Sequence, residues 1–148
     1  RVLIGHSLGG AAALHAACEI EGVRAVATIG APHDPAHVRH LIVGASFDED
    51  GTAEVSIGGR PFRIGRRFVD ELDEHEPDGR IRDLGASLMI FHAPADRIVG
   101  IENAEKIYKA ARHPKSFVSL DGADHLLSDP KDSAFVANVL AAWVQRYL

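Results

Sequence analysis

Cysteine is nearly absent from this chain. Cys18 is the only one in 148 residues, so no internal disulfide can close, and a reducing, cytoplasmic setting is expected. Aromatic residues make up only 6% of the sequence and the net charge is −5, with the cationic residues dispersed, so no basic stripe with interleaved aromatics is offered to nucleic acid. The nearest approach to one, Arg60, Arg63, Arg66 and Arg67, reads as a solvated face. No run comes near the roughly 18 apolar residues of a membrane span, and no signal peptide opens the chain, so no membrane partner is expected. Metal-ligand spacings are also missing. His33, His37 and His40 form the one histidine cluster, but His37 does not share a helical face with both others, and neither HExxH nor a Cys/His set occurs. Gly5 to Gly10 lacks the Lys-Ser/Thr of a phosphate loop and does not match GxGxxG, so neither metal nor cofactor is expected.

What is present is 46% hydrophobic and 25% charged, enough for one globular core. Its most informative stretch comes first. Gly5-His6-Ser7-Leu8-Gly9, with Gly10 behind it, is entered from the apolar stub Val2-Leu3-Ile4 and runs into an alanine-rich segment from Ala11 to Ala17. This is GxSxG between a strand and a helix, the nucleophile elbow, in which a strained turn projects the serine hydroxyl from the end of a sheet. Gly5 and Gly9 are expected to remove side chains that would collide at that turn. Ser7 is then the candidate nucleophile, and the backbone N–H of Leu8, at the start of the helix, a candidate oxyanion-hole donor. The competing reading is a glycine-rich loop before a packed helix.

A serine is a weak nucleophile until an imidazole takes its proton and a carboxylate fixes that imidazole's tautomer. Elbows of this kind are followed by an acid and then a histidine. The apolar run Ser87 to His92 reads as a buried strand leading into Ala93-Pro94-Ala95-Asp96, which places Asp96 just beyond a strand's C-terminal end. Ser116 to Leu120 reads as the next strand, followed at the same edge by Asp121-Gly122-Ala123-Asp124-His125. Asp96 is therefore the candidate acid and His125 the candidate base. Asp96 could instead be a loop carboxylate paired with Arg97. Asp34 is an alternative acid, although with Pro35 behind it Asp34 reads as a helix N-cap. Asp121 and Asp124 read as turn residues, and His6 as a residue that lines the pocket or packs the elbow.

Strands and helices alternate, as in a parallel sheet covered by helices. Helices are expected at Leu8 to Ile20, Pro35 to Val43, Glu102 to Arg112 and Ala134 to Leu148, with a further strand at Val23 to Ile29. Lys109 and Arg112 suit the C-terminal end of the third of these helices, while Phe135, Val136, Val139, Leu140 and Trp143 form the core stripe of the last. Cys18, among small apolar residues on the first helix, reads as buried packing. The pattern breaks between about 45 and 80. Ala53 to Ile57 and Pro61 to Ile64 flank Gly58-Gly59 as a hairpin, a helical stretch follows from Arg66 to Leu72, and Asp70 to Gly79 reads as an exposed helix end and loop. This excursion is a cap over the active site or a plain loop. As a cap it would offer Phe62, Ile64 and Phe68 to a substrate, with His6 a further pocket candidate.

These residues resemble an α/β-hydrolase, a mostly parallel sheet flanked by helices. A narrower resemblance, to the hydrolase part of bacterial proteins that fuse such a domain to an OsmC-like domain, is carried by GHSLGGAAAL, RAVATIGAPHDPAHV, EVSIGGRPFRIGRRFVDEL and HPKSFVSLDGADHLL. It implies Ser7, Asp96 and His125 as nucleophile, acid and base, a small acyl substrate, and an OsmC-like domain as fused or associated partner. The family pattern also has an upstream half with the first strands and a loop donating the second oxyanion amide. The chain opens only about three residues before the elbow, so the expectation is a partial domain, 1–148, the C-terminal portion of a hydrolase with its N-terminal strands missing. Loss of one oxyanion donor costs about 10²- to 10³-fold in rate. Three functional readings follow: a serine hydrolase cleaving esters or related acyl bonds through an acyl-enzyme on Ser7, an acyltransferase or perhydrolase on the same triad, and a non-catalytic domain partnering a redox module.

Overall fold

A computed structural model of the protein describes residues 1–38, 45–57, 59–71 and 77–148, without the side chains of residues 37, 38, 57, 60, 68 and 71. Four strands, β1 (Val2–His6), β2 (Ala25–Ile29), β5 (Ser87–His92) and β6 (Lys115–Ser119), form one sheet in the order β1-β2-β5-β6, every neighbouring pair parallel. Between β2 and β5 in sequence, β3 (Thr52–Ile57) and β4 (Arg60–Gly65) form a separate antiparallel hairpin. The helices are α1 (Leu8–Ala17), α2 (Arg66–Glu71), α3 (Pro77–Arg82), α4 (Glu102–Ala110) and α5 (Pro130–Val144).

The period-two alternation of a strand sorts its side chains into two cores. Val26, Leu88 and Ile90 pack with Leu14 of α1, Ile81 of α3 and Ile107 of α4 on one face. Ala27, Met89 and Phe91 pack with Leu120 and with Val136 and Leu140 of α5 on the other. A parallel sheet needs both faces covered, which explains why all six residues of β5 are buried.

Register brings the C-terminal ends of the strands level. His6 pairs with Ile29, Ile29 with Phe91, and His92 with Ser119. The ladder then continues one step past the strands: Ser7 N–H donates to Ile29 O at 2.8 Å, Gly30 N–H to Phe91 O at 2.9 Å, and Leu120 N–H to His92 O at 2.9 Å. The loops carrying Ser7, Asp96 and His125 therefore leave from one edge.

Several expectations shift. α1 ends at Ala17, so Cys18 lies at its C-cap and is exposed, its thiol 3.4 Å from the Arg80 carbonyl, and is not buried packing. Lys109 does lie in the last turn of α4, where it pairs with Glu105, but Arg112 lies beyond the helix and pairs with Asp83, while Lys115 from β6 donates to the Tyr108 and Ala111 carbonyls at the end of α4. α5 starts at Pro130, capped by Asp129, whose carboxylate accepts from Lys131 N–H at 2.8 Å, and Phe135 faces outward. The segment expected as a helix from Pro35 forms a 3₁₀ turn, Pro35–Val38, and 39–44 lie outside the described residues. The end of the stretch Asp70 to Gly79, expected as loop, instead opens a helix, Pro77–Arg82; 72–76 lie outside the described residues, as does Gly58 at the hairpin turn. Among the described residues, no helix is long and apolar enough to cross a membrane.

Candidate active site

The turn between β1 and α1 bends at Ser7, which has φ 53° and ψ −129°. A positive φ in a residue with a side chain costs about 1–3 kcal/mol and persists only where its surroundings enforce it. Here Gly5 makes the turn possible, since a Cβ on it would run into the Gly9 carbonyl and Gly10 Cα, neither of which can yield. Gly10 has a similar constraint, an added Cβ falling 2.6 Å from the Ala31 methyl. Gly9 does not. A Cβ there meets nothing within 4 Å, so the expectation that Gly9 relieves crowding is corrected: it borders open space. Leu8 opens α1, and as the first residue of a helix its N–H has no acceptor within the helix.

Ser7, His125 and Asp96 converge. His125 Nε2 lies 3.1 Å from Ser7 Oγ, and His125 Nδ1 lies 2.7 Å from Asp96 Oδ2. A carboxylate only accepts, so the Nδ1 hydrogen points to Asp96 and Nε2 is left as an acceptor facing the Ser7 hydroxyl. The other carboxylate oxygen, Asp96 Oδ1, accepts from Ile98 N–H at 2.9 Å and Val99 N–H at 3.0 Å. Burial pushes the Asp96 carboxyl up, but the His125 hydrogen bond and the Val99 and Ile98 amides outweigh it and hold the group below its ordinary value. Its oxygens are thus engaged by His125 and by its own loop, and the reading in which Asp96 pairs with Arg97 finds no such contact among the described residues.

The rival carboxylates are engaged elsewhere. Asp34 Oδ1 accepts from Ala36 N–H at 2.8 Å, as an N-cap does. Asp124 accepts from Ser128 N–H at 2.8 Å, and Asp121 accepts from the Ser119 hydroxyl at 2.6 Å. His33 pairs with Asp78; the His37 side chain and His40 lie outside the described residues.

Ser7 opens onto a cleft of about 560 Å³ between the elbow and strand β4, walled by Leu8, Gly9, Phe62, Ile64 and Leu126, with His6 at its rim. Across the hairpin Phe62 pairs with Val55 and Ile64 with Ala53, so these residues form one apolar face. Arg63, of opposite phase, donates to Thr52 Oγ1 at 2.7 Å and lies 3.6 Å from Asp48. Phe68 is on α2, but its side chain lies outside the described residues.

The fold that carries this sheet edge has counterparts among solved structures. The chain has the α/β-hydrolase fold. It is similar to the esterase domain of a Rhodothermus marinus protein, with 58% identity and a TM-score of 0.91 over 99% of this chain and 61% of that one. Two more distant likenesses carry the fold alone: Est1E from Butyrivibrio proteoclasticus, 19% identical with a TM-score of 0.70 over 96% of this chain and 59% of that one, and a monoacylglycerol lipase of Paleococcus ferrophilus, 15% identical with a TM-score of 0.72 over 99% and 68%. The chain thus spans about three-fifths of the first two. No family model and no curated protein matches it.

Two residues of this α/β-hydrolase edge escape a reading of motifs. Gly30, at the end of β2 with φ 54°, sits so that a Cβ would lie 3.4 Å from both Asp96 Oδ2 and His125 Nδ1. A glycine directly after an apolar strand in IGAP was its only sequence signal. His92 closes β5 with a fully buried ring beside the acid loop. A histidine ending the apolar run SLMIF was the corresponding signal.

Proposed function

We propose that the chain acts as a serine hydrolase on carboxylic esters or related acyl bonds. The observation that carries this reading is the unbroken line Ser7 Oγ, His125 Nε2, His125 Nδ1, Asp96 Oδ2 at 3.1 and 2.7 Å, opening onto an apolar cleft. Ser7 Oγ attacks the acyl carbon while its proton passes to His125 Nε2, and Asp96 stabilises the imidazolium that forms. The carbonyl oxygen becomes an oxyanion facing the N–H of Leu8. His125 returns the proton to the leaving oxygen as that bond breaks, leaving an acyl group on Ser7. Water then repeats the sequence: its proton goes to His125, its oxygen to the acyl carbon, and Ser7 Oγ leaves with the proton. The 58% identity to a protein described as an esterase domain supports the ester reading.

An alcohol or hydrogen peroxide in place of water would turn the same acyl-enzyme to acyl transfer or perhydrolysis. The apolar wall of Phe62, Ile64 and Leu126 favours this second reading to the extent that it excludes water. The β3–β4 hairpin is read as a cap that selects the acyl group. The stretches IGGRPFRIGRRF and HPKSFVSLDGADH support, by resemblance, an OsmC-like domain as partner, and a lone cysteine fits a cytoplasmic setting. Hydrolysis of p-nitrophenyl acyl esters by the chain and by Ser7→Ala tests the reading. Turnover lost in the variant with its melting curve unchanged supports it; equal turnover in both removes Ser7 from the reaction.

A further inference from the structure

His92 is the last residue of β5, and its ring is 0% exposed. A buried polar ring is costly unless hydrogen-bonded, and this one uses a single bond: Nε2–H donates to the carbonyl of Val99 at 2.8 Å. A carbonyl only accepts, so the hydrogen is on Nε2, and among the described residues Nδ1 has no hydrogen-bond partner. Val99 is itself one of the two residues whose amides hold Asp96. Its N–H donates to Asp96 Oδ1 at 3.0 Å while its C=O is held by His92, so the loop is fixed from both sides at the residue that fixes the acid. His92 Nε2 also lies 3.8 Å from Asp96 Oδ2, the oxygen that receives His125 Nδ1–H at 2.7 Å. Its backbone carbonyl takes the Leu120 N–H at 2.9 Å, where the chain turns toward His125.

We propose that His92 is a positioning residue for the acid–base pair, clamping Val99 so that Asp96 stays aligned on His125. This rests on the serine hydrolase reading above. His92 lies behind the acid, away from the cleft, and acts only through Asp96. A hydrophobic side chain of similar volume would fill its place in the core but leave the Val99 carbonyl unpaired. Glutamine, whose amide nitrogen stands about as far from the backbone as Nε2, keeps the donor.

The test is the pH dependence of kcat and KM for a p-nitrophenyl ester in the wild type, His92→Leu and His92→Gln. His92→Leu is expected to lower the plateau of kcat by about 10- to 100-fold, the scale of a misaligned catalytic group, with KM nearly unchanged. It also moves the acid limb of the profile to lower pH, because a loosely held Asp96 stabilises protonated His125 less; His92→Gln restores the limb and most of the rate. A purely structural role would lower the melting temperature or the active fraction and leave the limb in place. ¹⁵N-histidine NMR of the wild type is expected to show His92 with its proton on Nε2. If His92→Leu does not fold, His92→Asn, whose shorter amide does not reach Val99, takes its place with the same expectation. An unmoved acid limb in the donor-less variant, or a His92 proton on Nδ1, overturns the proposal. Wild-type protein that neither turns over ester nor reacts with a fluorophosphonate overturns the hydrolase reading and this inference with it; normal wild-type turnover with an unmoved limb overturns the inference alone.

Discussion

His6 Nε2–H donates to the backbone carbonyl of His125 at 2.7 Å, the two rings 5.0 Å apart, so the residue before the elbow serine holds the loop that carries its imidazole partner. His6 also borders the cleft onto which Ser7 opens. A neutral hydrogen bond contributes about 0.5–1.5 kcal/mol net. His6→Ala is therefore expected to lower kcat/KM for an acyl ester about 10-fold, and His6→Gln, which keeps a donor, by less. Steady-state kinetics of both variants check this; equal rates in wild type and His6→Ala would remove the tether from the account.

The glycines of the elbow divide by what surrounds them. Gly5→Ala forces a methyl into backbone and is expected to cost about 3 kcal/mol or more, since overpacking against atoms that cannot move lies at the upper end of its range. Gly9→Ala meets no atom and replaces glycine near the start of α1, so its melting temperature should hold or rise, alanine being favoured in helices by about 1 kcal/mol. Its effect should appear in KM, because the added methyl enters the cleft. Thermal melts and kinetics of the two variants separate these outcomes.

Asp96 gives a pH signature. Its carboxyl is held below the unfolded value of about 3.9, so its contribution to stability is fully present above that pH and is lost as pH falls through the lower folded value. The melting-temperature advantage of wild type over Asp96→Asn should therefore be largest near neutrality and shrink below about pH 4. In the same variant kcat should fall by as much as about 10⁴-fold, the cost of holding a catalytic imidazole in the wrong tautomer. Asp34→Asn should leave the rate intact, and even a full loss of its cap, as in Asp34→Ala, should cost only about 1 kcal/mol of stability. The reverse pattern of rates would make Asp34 the acid.

The apolar face of the hairpin bears on substrate choice. Phe62 is 46% exposed beside Ser7, an unfavourable place for a phenyl ring unless something apolar lies against it. Each methylene removed from water contributes about 0.8 kcal/mol, nearly fourfold in binding. Phe62→Ser should raise KM for hexanoyl esters several-fold while leaving acetyl esters nearly unchanged. Equal effects on both would favour the plain-loop reading of the hairpin.

How far the sequence carried depended on where the chain's local chemistry had one meaning. Ser87–His92 was legible to the residue because a fully buried central strand reads as an unbroken apolar run, and the hairpin because Gly58-Gly59 separates two alternating segments. The helix Pro77–Arg82 was hidden, since PDGRIR buries only Ile81 and follows an acidic tract that reads as loop. α5 begins ahead of its apolar stripe, at Asp129-Pro130, which carries the same N-cap signal as Asp34-Pro35. At the site, Ser7, Asp96 and His125 could be put forward together as candidates because each follows a strand at the same edge, and the fold brings their side chains within hydrogen-bonding distance. Gly30 and His92 could not, because their surroundings exist only in the folded chain: Gly30 has the Asp96–His125 pair, carried by two other strands, pressed against it, and the His92 ring reaches back to a carbonyl of the loop that follows its own strand.

The central claim is that Ser7 is activated by the imidazole beside it. Intact-mass analysis after treatment with a fluorophosphonate tests this most directly, because an activated serine displaces fluoride and retains the phosphonyl group. The account predicts a single adduct on the wild type, none on Ser7→Ala, and strongly slowed labelling of His125→Ala. A wild-type chain that stays unlabelled, or an adduct that persists in Ser7→Ala, would contradict it.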